Sequence, residues 1–164
     1  MAIEVAVKGL ETLENATGEM AKWGKKPFSG KASLRIKKIW AKDNLRTFKT
    51  KGRSIKEKWP RLSPEYASWK KRHYPSKPLL VLKNDLRDSV SNPKSRLMVY
   101  NTTGGRQLIL GTRVPYASAH NYGTKKLPMR KFIKVTQAMT NTWANEMRKD
   151  VELASKGKKS WRGR

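Results

Sequence analysis

Thirty-eight lysines and arginines stand against twelve aspartates and glutamates in this 164-residue chain, a formal charge of +26. No other feature constrains the fold as strongly. Like charges on a compact body repel, so most of the cations must spread over a large surface around a modest core. An apolar share of 37% beside a charged share of 30% fits that arrangement. Six Trp, five Tyr and three Phe still supply enough large apolar surface to argue against wholesale disorder. The length suits one ordinary domain. The charge also demands an anionic partner, with nucleic acid the first candidate and an acidic protein surface the second.

Several chemistries are poorly served. The chain has no cysteine, which excludes disulfides, thiolate metal sites and cysteine nucleophiles. Its two histidines, His73 and His120, have no second ligand type three or four residues away, so no metal or other cofactor is expected. No glycine-rich loop ends in Gly-Lys-Ser/Thr, and no nucleophile-elbow motif frames a serine. The carboxylates do not cluster as a two-metal nuclease requires. The expectation is a protein without catalytic activity. No stretch approaches the roughly 18 apolar residues of a membrane span, and the first residues lack the order of a signal peptide. The expected setting is a cytoplasm, with no membrane partner.

Local patterning predicts an α+β single domain over residues 1–155: a small antiparallel sheet packed by a long basic helix and a C-terminal helix. Ile3, Val5 and Val7 alternate as in a strand. Leu10, Leu13, Ala16, Met20 and Trp23 recur at three- and four-residue spacing, predicting a first helix that stops before Pro27. A longer helix is predicted from Lys31 to about Lys51, with Ala32, Ile36, Ile39 and Trp40 on one side. Between Lys22 and Lys58 stand fourteen basic residues and two acidic ones. Such an excess points to an anionic partner, and Lys38, Lys42 and Lys49 lie off the apolar stripe. Ser63 and Pro64 read as the cap and first residue of another helix, with Tyr66 and Trp69 on one face. Residues 79–90 fit either a strand or a short helix. Two strands near 96–100 and 107–111 flank a hairpin turn at Gly104-Gly105. A loop-and-strand unit is expected over Val114 to Ile133, and Phe132, Val135, Met139, Trp143, Met147 and Val151 predict a helix from Arg130 to about Ser155. Residues 156–164 read as a flexible basic tail, with Lys158, Lys159 and Arg162 as candidates for an anionic partner and Trp161 as an apolar anchor. Trp40, Trp59 and Trp69 read as core residues.

Two stretches carry a more specific pattern. The first is Trp59-Pro60-Arg61-Leu62-Ser63-Pro64-Glu65-Tyr66, then Lys70, continued by Leu82-Lys83-Asn84-Asp85-Leu86-Arg87-Asp88-Ser89-Val90. The second is Leu110-Gly111-Thr112, then Tyr116-Ala117-Ser118-Ala119-His120-Asn121-Tyr122-Gly123-Thr124, ending Pro128-Met129-Arg130-Lys131-Phe132. In order and approximate spacing these resemble the phage virion morphogenesis family, the tail-completion proteins of Mu-like and related tailed phages. The chain departs from that family at Lys83-Asn84, where the family has Thr-Gly, and at Lys131, where it has Pro.

The resemblance implies a structural virion protein at the head–tail junction, assembled in the host cytoplasm. It would form a homo-oligomeric ring, expected to be a hexamer, that completes or caps the tail and contacts other neck and tail proteins and viral DNA in the channel. Trp59, Tyr66, Tyr116, His120, Gly123, Arg130 and Phe132 are then candidate assembly residues. His120 reads most simply as a structural histidine, with a pH-sensitive interface contact as the alternative, and Arg130 as the partner of an acid across a subunit contact or a surface residue. The alternative is a non-enzymatic nucleic-acid-binding protein that contacts phosphates through its basic helix.

Overall fold

The longest basic segment is helical because its apolar residues fall three and four apart. In the computed structural model, which describes residues 3–8, 25–28 and 31–155, helix α1 spans Lys31–Lys49. Ala32, Ile36, Trp40 and Phe48 are buried, whereas Lys38, Lys42, Arg46 and Lys49 are exposed. Strand β1 spans Ile3–Lys8, where a strand was predicted. The helix expected over Leu10 to Trp23 and the basic tail, with Lys158, Lys159, Trp161 and Arg162, lie outside the described residues.

Four further helices are described: α2 Pro64–His73, α3 Asp85–Ser91, α4 Ala117–Tyr122 and α5 Gln137–Ser155. Strands β2 (Met98–Thr103) and β3 (Gln107–Thr112) form an antiparallel hairpin, and the sheet order is β1-β3-β2. The architecture is therefore α+β, a small sheet with a long helix. The chain divides into two compact units.

One unit comprises the described parts of Glu4–Trp40, Val99–Leu110 and Val135–Arg164. The first turn of α1 has no acidic residue of its own to complement the helix dipole. Asp150 of α5 takes that role: its Oδ2 accepts the Ala32 backbone N–H at 3.0 Å, and its Oδ1 accepts from Arg35 Nη2 at 2.6 Å. Arg35 Nε also donates to Glu146 Oε2 at 2.7 Å. Leu108 and Leu110 are fully buried, and the Tyr100 hydroxyl donates to Ser33 Oγ at 3.0 Å.

The other unit holds Ala41–Met98 and Gly111–Lys134. After α1 the chain turns at Gly52 (φ 86°), where an added Cβ would strike the Glu57 carbonyl and the Trp59 indole. That turn delivers Trp59 into the core, edge-on to Phe48 with ring centroids 5.4 Å apart, and Phe48 packs on Phe132 at 5.7 Å. Ile55, Val81, Leu86, Val90, Val114 and Ala117 are also buried in this unit.

Helix α2 begins as predicted, with Ser63 Oγ accepting the Tyr66 N–H and Pro64 in the first turn. Residues 79–90 resolve into a turn and then α3. Asn84, the residue before that helix, has φ 73°, the left-handed geometry that Asn tolerates best after Gly.

Three expectations are corrected. Val114 to Ile133 contains the short helix α4 rather than a strand. The last helix starts at Gln137, not Arg130: the Asn121 side chain takes the Phe132 and Ile133 N–H groups, and Thr136 Oγ1 accepts the Met139 N–H at the true helix start. Trp69 is 39% exposed rather than core. It stacks between Tyr66 and His73 along α2, at 5.3 and 5.0 Å, which covers its faces without burying its edge.

Candidate functional site: a cleft built on the motif residues

Side chains from the two patterned stretches hold one another inside the second unit described. The Trp59 Nε1–H donates to the Lys131 carbonyl at 2.6 Å. The buried Arg130 guanidinium donates to the carbonyls of Pro60 and Arg61, at 3.0 and 2.9 Å. Arg130 is thus buried rather than a surface residue, and burial pulls its pKa down. Thr112 Oγ1 accepts the Val114 N–H and donates to Ser89 Oγ at 2.7 Å, and Ser89 donates on to the Leu86 carbonyl at 2.8 Å. Each hydroxyl in this buried chain both gives and receives.

Asn121 carries the neighbouring segment. It is 2% exposed, and its Oδ1 accepts the N–H groups of both Phe132 and Ile133 at 3.0 Å. Two residues before Phe132, the Arg130 N–H donates to the His120 carbonyl at 2.8 Å. α4 therefore clamps an extended strap at three backbone N–H groups, leaving Phe132 fully buried. Gly123 closes α4 at φ 78°, ψ 171°, a region essentially open only to glycine. The Lys131 side chain, placed where the resembled family has Pro, sits 3.8 Å from Glu57, which also pairs with Lys134 at 2.7 Å. Those lysines hold the Glu57 carboxyl below its usual pKa, the Lys134 hydrogen bond foremost.

Against this frame opens a cleft of about 640 Å³, within the ~300–1,000 Å³ range of ligand-sized clefts. Leu80, Leu82, Tyr66, Tyr116 and Leu127 give it apolar walls. The exposed cations Arg61, Lys83 and Lys126 stand at its margin, and Asp85 is the acidic residue among its described lining. Lys70, 6% exposed, also borders it; its ammonium donates to the Pro78 carbonyl at 2.6 Å, and burial lowers its pKa. His120 is half-buried, edge-on to Tyr116 at 5.9 Å. Burial, with the Arg130 charge behind it, depresses the His120 pKa, so the imidazole is neutral at pH 7. Its Nδ1 and the Asn84 Oδ1 are buried without a hydrogen-bond partner among the described residues.

Of the predicted assembly residues, Tyr66, Tyr116, His120 and Arg130 line the cleft. Trp59 and Phe132 are core, and Gly123 shapes the backbone next to it. Lys38, Lys42 and Lys49 occupy exposed positions of α1 and do not line it. Asn121, Ser89, Thr112 and Lys70 stand within the patterned stretches, but their spacing in the sequence assigned none of them a role. Asn121 is itself a position of the second stretch, where a polar residue among Tyr116, His120 and Gly123 was the available signal.

Among the described residues no three His, Asp or Glu side chains gather as metal ligands, and no helix is long and apolar enough to cross a membrane. No protein family, curated protein or solved structure matches the chain.

Proposed function

We propose that this chain is a non-catalytic structural protein of a tailed phage, forming a ring at the head–tail junction that completes the tail and joins it to the head. The observation that carries the reading is the interlocking of the motif residues. Trp59 with Lys131, Arg130 with Pro60 and Arg61, and Thr112 with Ser89 join the two stretches on which the resemblance rests. Residues recurring together because they hold one scaffold are what a shared fold requires. The polar groups of that scaffold direct their hydrogen bonds to backbone and to each other, which suits a rigid building block. A head-to-tail contact that closes by rotation makes a ring. Negative-stain electron microscopy of the purified protein should show closed rings of uniform copy number. Monomers or open filaments at all concentrations would refute the reading.

Nucleic-acid contact is supported separately by the exposed cations of α1. Replacing Lys38, Lys42 and Lys49 with Glu should leave stability within ~0.5 kcal/mol, because all three positions are exposed. Every phosphate that a lysine no longer neutralises should lower the salt dependence of duplex-DNA binding by about one unit of slope, so about three in all. An unchanged slope would mean that these lysines are solvated only.

A further inference from the structure

We propose that the cleft beside α4 is the acceptor half of a contact between copies, and that residues 9–24 of a second copy fill it. This rests on the ring reading and names the contact that would build the ring. The cleft has aliphatic and aromatic walls from Leu80, Leu82, Leu127, Tyr66 and Tyr116 and a margin of exposed cations, Arg61, Lys83 and Lys126. Its ideal occupant is therefore an apolar segment bearing negative charge, with hydrogen-bond donors for the unpartnered Asn84 Oδ1. In a chain of +26, residues 9–21 hold three glutamates, Glu11, Glu14 and Glu19, and no lysine or arginine. The same stretch brings Leu10, Leu13 and Met20 as apolar anchors and Thr12, Asn15 and Thr17 as donors.

Two copies that otherwise repel each other thus gain a local attraction, and its sign selects this pairing over others. The contact joins two different surfaces, so each copy keeps one segment to give and one cleft to fill. That is the head-to-tail geometry from which rings are closed.

Two measurements on the full-length chain test this. In the first, Lys83→Glu with Lys126→Glu is compared with wild type by sedimentation velocity. Both side chains are exposed, so the melting temperature should hold while the oligomer dissociates. Adding Glu11→Lys and Glu14→Lys to the same chain should restore the oligomer. Dissociation without restoration would mean that the lysines meet another acidic surface, and would overturn the proposal. In the second, a fluorescein-labelled peptide of residues 9–24 is titrated with the full chain. It should bind at least about tenfold more tightly than the same peptide with Leu10, Leu13 and Met20 changed to Ser. Equal binding would reduce the effect to charge, and displacement of the peptide by an oligothymidylate would make the cleft a nucleic-acid site; either overturns the proposal. Intact rings in the Lys83→Glu, Lys126→Glu variant would sink this contact and leave the ring reading standing. Open assemblies that this variant still dissolves would keep the contact and refute the ring.

Discussion

Valine at position 123 should cost the fold about 3 kcal/mol, because two independent penalties meet there. The first is conformational: φ 78° with ψ 171° belongs to a region that a β-branched residue enters only under strain. The second is spatial. A Cβ on Gly123 would lie 3.0 Å from the Met129 backbone N and 3.1 Å from the Leu127 carbonyl oxygen, and backbone cannot swing aside as a side chain does. The segment that must give is the turn in which the Thr124 N–H donates to the Leu127 carbonyl at 2.8 Å. That turn carries Lys126 and Leu127 to the cleft, so the variant should lose cleft binding along with stability. Urea denaturation followed by tryptophan fluorescence reads the first effect. A valine variant as stable as wild type would show that the backbone there is not held as described.

Asn121→Ala should destabilise by a similar amount, about 3 kcal/mol, for a different reason. It removes the shared acceptor of the Phe132 and Ile133 N–H groups, and a buried donor left without an acceptor costs ~1–3 kcal/mol. The residue is 2% exposed, so water cannot readily replace the missing oxygen. Amide hydrogen exchange gives a site-specific readout: protection at Phe132 and Ile133 should collapse first, followed by release of Phe132 from its contact with Phe48. Unchanged protection at those two amides would show that another acceptor serves them.

The two substitutions act on one mechanical unit. α4 holds the strap through Asn121 and His120, the strap holds Trp59 through the Lys131 carbonyl, and Arg130 returns to Pro60 and Arg61. Loosening any of these should reach the cleft, because Tyr116, His120 and Arg130 line it. Much of the candidate site was visible in sequence as motif positions, but their division of labour was not. Tyr66, Tyr116 and His120 border the cleft, Arg130 both lines it and holds the backbone behind it, and Trp59 and Phe132 are buried supports.

What the sequence determined by itself are the features made by residues close along the chain. Helical hydrogen bonds join residues four apart, so the spacing of Ala32, Ile36 and Trp40 was enough to foresee α1, and Ser63-Pro64 marked the start of α2. Gly104 and Gly105, both at positive φ, marked the β2–β3 turn for the same local reason. Tertiary structure alone decided the rest. Phe132 and Val135 have helical spacing, yet the helix begins only at Gln137, after a segment whose Phe132 N–H is bound by an acceptor eleven residues away. The cap of α1 comes from Asp150, 118 residues distant from Ala32, and the partners of Arg130 lie 69 and 70 residues back. Lys70 is buried and Trp69 exposed on adjacent positions of one helix, against their ordinary preferences, because the Pro78 carbonyl is there to receive the ammonium. Local spacing encodes which residues share a face; what that face meets is settled only when distant backbone returns with the groups that satisfy it.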